Sequence, residues 1–590
     1  MHIKKGLRPS ETDPSHQPIQ KVLLSAVHIL RMLQNKKIAL CMAIFAIAMI
    51  GLAILGGWRS YSPVPVWDMW YGILQFYMDV ENGNHAVWWA QFNEHRIVLS
   101  RILFWLDYRF FGGMSAFLIV CNYCIVAAAA YLFWRILDVG TAINHRYFDT
   151  SSRLILFFFI TAWLFLWTQT ENFTLAFQSQ FFLAQLLPLC ALFWLGKSVS
   201  PPHTRRSFLI ACIFGLLSIG TMANGILALP LMCLCVLFLR QGIRKLAILL
   251  VLSAATIFVY FHDYHAPAYH GHLLSELKEN PIGLLQYTLV YLGSPFGYLV
   301  GKGGFGQVVA GFMGFVLIAG ASRITLKVWR TPKESAIQIA LLCYILYILG
   351  TAFGTAGGRL IFGVDQALSG RYTTPAIMAW SAFFILLYLQ GYFFTQNSIK
   401  KSVYLGMMVL GIFMLVRQVQ ALDRMEEMTA AGEVAILGLS LDVQDSAYAG
   451  KVSPHPTSEI AHAAYDRKLS LFGKYPYLGL KETLFTSFPI PAEKCEGHLD
   501  LIEDIPEETH FVRVHGWIFS PNTHTSPKLI RFVDAKGKIV GFALSGTPRR
   551  DVRKSLGKKA RLAGFRGYVL HAEQKEITAV GDKPACYVKF

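Results

Sequence analysis

Within the mostly apolar first 420 residues of the chain, four stretches bring together acids, bases and cations. The first runs from Arg59 to about Arg101 and reads YSPVPVWDMWYGILQFYMDVENGNHAVWWAQFNEHRIVLSR from Tyr61. In it Asp68 stands between Trp67 and Trp70. A carboxylate among aromatics at a membrane surface loses hydration, so its pKa rises and it can work as a general base. The same residue is a good helix N-cap, and the pattern alone supports either role. The stretch closes on Asn93, Glu94, His95 and Arg96, which enter apolar sequence together. They read as a functional cluster or, more plainly, as an internal ion pair of Glu94 with Arg96 or Arg101.

The second stretch is the turn from Trp167 to Gln178, where Glu171, Asn172 and Gln178 sit at or near membrane depth. Ionisable groups there are costly and often functional; a structural turn is the other reading. The third, His262 to His272, holds four histidines and Asp263 in eleven residues. Its spacing fits no established metal signature, so His262 and Asp263 read as sugar or phosphate contacts or as part of a wet loop. The fourth, Gly357 to Pro375, carries Arg359 and Arg371. Arginine makes paired hydrogen bonds to phosphate oxygens. The plainer reading has both arginines binding ordinary lipid headgroups or Asp365. Together the four stretches supply acids, a base candidate, aromatic platforms and phosphate-binding cations. Transfer of a sugar from a lipid phosphate uses all of these: a base deprotonates the acceptor hydroxyl, and cations stabilise the departing phosphate.

The elements that must position these residues are membrane spans. A span needs about 20 apolar residues, and about 17 at the shortest. Runs of that kind fall at about 38–57, 115–134, 153–168, 180–196, 207–221, 226–239, 246–261, 304–322, 335–352, 374–391 and 402–419. About eleven crossings are expected, and 281–300 reads as an interfacial or re-entrant helix. Most basic residues between spans, such as Lys36, Lys37, Arg146, Arg153, Lys197, Arg205 and Arg206, mark cytoplasmic faces. Residues 1–37 then form a cytoplasmic tail, and the first apolar run is a retained signal anchor. The external loops are 59–100, 168–179, 262–303 and 353–373, and an odd crossing number hangs 420–590 outside.

Of 590 residues, 54% are hydrophobic and 15% charged, which suits a large membrane domain plus a soluble one. The net charge of +18 would suggest nucleic acid in a soluble protein. Here much of it sits between spans, and no zinc-finger or helix-turn-helix pattern accompanies it. Eight of the ten cysteines lie in or beside spans. The other two, Cys495 and Cys586, read as a disulfide in an oxidising compartment or as two unrelated thiols. From about 509 the sequence alternates like strands, with a hairpin turning at Asp534–Gly537, and predicts a small β-sandwich. Its basic segment from Arg549 to Arg561 reads as a contact for anionic lipid or acidic glycan, or as a solvated loop.

Over about residues 38–419 the chain resembles the GT-C superfamily of membrane glycosyltransferases. In that superfamily the first span is followed by a large external loop with a functional aspartate near its start, where Val66-Trp67-Asp68-Met69-Trp70 stands here. The Phe92-Asn93-Glu94-His95-Arg96 end of the loop and the Gly370-Arg371-Tyr372 turn are similar to those of bacterial enzymes that handle surface polysaccharides. The resemblance implies Asp68 as base and Glu94 assisting it. It implies Arg371, Tyr372 and Arg359 at the carrier phosphate, with His95 or Arg96 nearby and Trp67 and Trp70 as aromatic contacts. It also implies a polyprenyl-phosphate sugar donor and a glycan or lipid-linked acceptor, outside the inner membrane of a bacterium. Some relatives hold a divalent metal on a second acidic motif, which Asp79 and Glu81 match poorly, so no cofactor is expected. The rival readings are a flippase of lipid-linked sugars, a phosphoethanolamine-type transferase and a non-enzymatic part of a polysaccharide assembly.

Overall fold

The computed structural model describes residues 17–143, 149–199, 204–267, 270–392, 397–506, 508–571 and 576–590. Residues 1–16 of the expected tail and Arg146 lie outside them. Helix α1 (Gln17–Arg59) ends just before Pro63 and Pro65. The loop after it folds into a π-helical turn (Trp70–Gln75), α2 (Phe76–Glu81) and α3 (Val98–Phe111). There follow α4 (Ala116–Ile143), α5 (Thr150–Leu164), α6 (Thr170–Thr174), α7 (Ser179–Lys197), α8 (Thr204–Ser218), α9 (Ala228–Leu239) and α10 (Ile243–Phe261). The membrane region closes with α11 (Leu273–Glu279), α12 (Pro281–Val300), α13 (Gly304–Val328), α14 (Ala336–Arg359), α15 (Thr373–Leu389) and α16 (Asn397–Gln418). Among the described residues, nine helical segments are long and apolar enough to cross a membrane. The expected eleven exceeds this because α8, at 15 residues, and α9, at 12, are short.

Helix ends gather on two faces of the bundle. On one, Gly56 near the end of α1 meets Trp167 after α5 and Ala421 after α16. On the other, Gly140 near the end of α4 meets Leu389 of α15 and Ile337 of α14, and Gly196 of α7 lies on Ala336. The first face also carries residues 60–115 and is called the loop face here. The segment 281–300 is a continuous helix of 20 residues. Asn280 caps it by accepting from the Gly283 N–H (3.0 Å). Helix α12 is buried along α13, where a Cβ on Gly293 would come within 1.9 Å of the Ala310 carbonyl. Small residues let two helices approach this closely where apolar burial cannot drive them together. The chain reaches and leaves α12 from the loop face: α11 before it packs on α14 near Gly357, and Lys302 follows it.

Residues from 426 onward build a separate domain on the loop face. Helices α17 (Glu426–Ser440), α18 (Ser446–Val452), α19 (Ser458–Asp466) and α20 (Leu480–Thr483) precede strands β1 (Glu496–Asp504), β2 (Phe511–Phe519), β3 (Leu529–Val533) and β4 (Ile539–Thr547). Helix α21 (Arg550–Leu556) leads to β5 (Gly564–Leu570), β6 (Thr578–Asp582) and β7 (Ala585–Lys589). The expected sandwich is instead one curled antiparallel sheet, ordered β1-β2-β5-β4-β3-β6-β7. Alternation showed that the strands needed cover, but not what would supply it. Helix α17 packs Ile436, Leu437 and Leu439 on one face against Phe542, Leu544 and Tyr568. The other face curls around Val512, Ile530, Phe532 and Phe565. The curl brings the sheet's two ends together, where Cys495 and Cys586 are bonded. The Cys495 N–H donates to the Tyr587 carbonyl (2.9 Å), and the Tyr587 N–H donates to that of Glu493 (3.0 Å).

Candidate functional site

The loop face holds a cavity of about 590 Å³ whose lining draws on all four polar stretches. Asp68, Glu94 and His95 come from the first, Phe177 from the second, His270 and His272 from the third, and Arg359, Arg371 and Tyr372 from the fourth. Each is held by a local device. Asp68 precedes the π-helical turn, and its carbonyl accepts from the Gly72 N–H (2.8 Å). That turn has no side-chain cap, so the N-cap role open to Asp68 is not used. Arg359 ends α14, and Arg371 lies in a single helical turn, Gly370–Tyr372, just before α15. Asn172 fixes that turn by donating to the Arg371 carbonyl (3.0 Å) and to Thr374 Oγ1 (2.7 Å).

The charges are unequally satisfied. Glu94 Oε1 accepts from Arg359 Nη2 at 3.0 Å and lies 3.6 Å from His95 Nε2, while Glu94 Oε2 lies 3.5 Å from His270 Nδ1. Burial pushes the Glu94 carboxyl up, but His95, Arg359 and His270 outweigh it and bring it down to about 2. His95 is shifted down, first by burial and then by the two arginines and His270 against Glu94. Its Nδ1 accepts from the Ala223 N–H (3.1 Å), so the neutral ring carries its proton on Nε2, toward Glu94. Asp68 is different. Burial raises its pKa, and Arg371 and Arg359 only partly offset this. Its carboxylate makes no ion pair among the described residues.

Arg371 is the cation left over. Its guanidinium lies 5.6 Å from the Tyr372 ring, its Nε is buried without an acceptor, and its side chain makes no hydrogen bond among the described residues. Neither arginine pairs with Asp365, which is exposed. The buried amide oxygens of Gln180, Gln185 and Asn224 also border the cavity and have no donor among the described residues. Unmet donors and acceptors of this kind ask for a partner, such as water, an ion or a polar ligand. The arrangement can hold an anion at Arg371, accept from hydroxyls at the amides and take a proton at Asp68.

Other expected site residues lie elsewhere. Arg96 is buried and donates to the carbonyls of Tyr260 (2.9 Å), Trp89 (2.7 Å) and His262 (2.6 Å). Arg101 likewise holds the carbonyls of Trp88 (3.2 Å) and Ala90 (2.6 Å), so neither pairs with Glu94. His262 and Asp263 are exposed and bond each other at 2.8 Å, whereas His270 of the same tract reaches the cavity. Trp70 is fully buried in a core shared with the C-terminal domain, and Trp67 is 51% exposed outside the cavity lining. Gln178 and Asn172 are buried outside the cavity, and Glu171 of the same turn is half-buried, also outside its lining. Asp79 accepts from Gln75 (2.7 Å) away from the cavity, and no group of three metal-ligating residues is found among the described residues. Gln180, Gln185 and Asn224 escaped the sequence reading, although isolated amides within or between apolar helices were the signal for them.

Fold and cavity define a class: a polytopic helical membrane protein whose extramembrane domain is built onto the loop beside its polar cavity. Compared with known proteins, the chain matches no family model, no curated protein and no solved structure.

Proposed function

We propose that this chain is a glycosyltransferase. It moves a sugar from a polyprenyl-phosphate donor to a glycan or lipid-linked acceptor, at the outer face of a bacterial inner membrane. The observation that carries the reading is that Arg371, without an acceptor of its own, lines the same cavity as Asp68. Asp68 is the base: it takes the proton as the acceptor oxygen bonds the sugar carbon. The bond from that carbon to the phosphate oxygen breaks, and the phosphate leaves with the electron pair. Arg371 neutralises the charge that develops there. Arg359 is held by Glu94 and adds its field, so Glu94 serves as an anchor more than as a second base. The amides of Gln180, Gln185 and Asn224 are placed to accept from sugar hydroxyls.

The test is transfer from a purified polyprenyl-phosphate sugar by the reconstituted protein. Asp68→Asn is expected to abolish transfer while the protein still folds and retains donor. Full transfer by that variant removes Asp68 from its role. Transfer unaffected by Arg371→Gln removes the phosphate assignment.

A further inference from the structure

Beyond Gly370, outside the cavity lining, the loop face carries a second polar cluster of Glu171, Tyr298, Lys302 and Arg417. Tyr298 is 3% exposed, and its hydroxyl is buried without a partner. Two cations flank its ring: Lys302 Nζ lies 4.4 Å from the centroid and Arg417 Cζ 5.4 Å. Arg417 Nε is buried with no acceptor. Neither cation makes an ion pair among the described residues, with Glu171 or any other acid. A Cβ on Gly370 would lie 3.1 Å from Glu171 Oε1 and 3.3 Å from the Tyr298 hydroxyl, so glycine leaves that corner open.

Two cations against one acid, with an idle hydroxyl donor between them, favour an anion with several acceptor oxygens. The surroundings point to one carried by a lipid. Helices α13 and α16, which flank the cluster, expose Phe305, Val308, Ile412 and Val416. If the loop face is outside, Lys302 and Arg417 also defy the usual inside bias of basic residues.

We infer that Tyr298, Lys302 and Arg417 form a second anion site, for the phosphate of a membrane-borne lipid. In purpose this rests on the transfer reading above, because two lipid-borne partners need two phosphate seats. Its test does not rest on that reading. Full-length protein in detergent is offered phosphatidic acid or phosphatidylcholine, and retained lipid is counted by native mass spectrometry. Wild type is expected to retain phosphatidic acid in preference, and Lys302→Glu, compared in an Arg371→Gln background so that the cavity seat does not contribute, to cut that retention roughly tenfold. Tyr298→Phe, which removes an unpartnered hydroxyl and leaves the fold alone, should cut it in the same direction. Asp68→Asn should retain lipid like wild type, so loss of transfer and loss of this site are separate results. Unchanged retention in both Lys302→Glu and Tyr298→Phe overturns the site. Displacement of the lipid by an equal concentration of inorganic phosphate overturns the lipid source and assigns a soluble phosphate instead.

Discussion

Glu94 Oε1 and Arg359 Nη2 are 3.0 Å apart although 265 residues separate them in the chain. The pair joins the loop after α1 to the end of α14, and both residues line the cavity.

Glu94→Gln leaves Arg359 without its counter-ion in a partly buried position. Bringing the carboxyl from 4.5 down to about 2 corresponds to stabilisation on the order of 3 kcal/mol at neutral pH. That figure is an upper bound, because both side chains keep some solvent. The variant is expected to show a lower thermal midpoint in detergent.

The same pair gives a pH dependence. The folded state binds the Glu94 proton more weakly than the unfolded state does, so its contribution is fully present above pH 4.5 and fades toward about 2. Thermal midpoints of wild type and Glu94→Gln should therefore converge as pH falls through that window. Parallel curves would show that Glu94 is not the group responsible.

Asp68 predicts the opposite sense. Its carboxyl is raised, so the acid limb of the transfer rate should lie above the ordinary carboxylate range. Arg371 holds that pKa down, so Arg371→Gln should move the limb to still higher pH, and Arg371→Lys should move it less. The measurement is the pH profile of kcat/KM.

Trp67 and Trp70 should separate cleanly. Trp70 is fully buried, and its truncation to alanine should cost about 3–5 kcal/mol. Trp67 is half exposed, so its alanine variant should melt close to wild type. Equal losses from both would contradict the packing described.

The bond from Cys495 to Cys586 closes a sequence separation of 91 residues at the ends of the sheet. Removing it with Cys586→Ser should cost the C-terminal domain about 4–5 kcal/mol by the chain-entropy account. Hydrogen exchange should quicken first in β1 and β7, while the membrane helices stay protected.

Much of the cavity was legible because charge inside apolar sequence is costly and therefore conspicuous. Asp68, Glu94, Arg359 and Arg371 stood out on that ground, and all four line it. What sequence spacing could not give was direction. Arg96 and Glu94 stand two residues apart, yet one turns to backbone carbonyls and the other to a distant arginine. Within the histidine tract the turn, not the composition, decides that His270 and not His262 faces inward. Trp70 looked like a headgroup aromatic because its cover, Val434 to Val452, lies late in the chain. Strands β2 to β5 alternate or run apolar and were found. Strand β1 is polar and largely exposed and gave no signal; β6 was not singled out either.

The apolar face formed by Val64, Trp70, Leu74 and Met78 is completed only by residues from 431 onward, and the Trp67 N–H bonds the Val452 carbonyl (2.7 Å). A ribosome that has made every membrane helix has therefore not yet made the lid of that core. Until the residues from 431 onward are made, one face of the segment bearing Asp68 lacks its cover. Assembly is thus its own safeguard: a chain cut short before residue 431 would display the cavity's arginines without a firmly seated aspartate beside them.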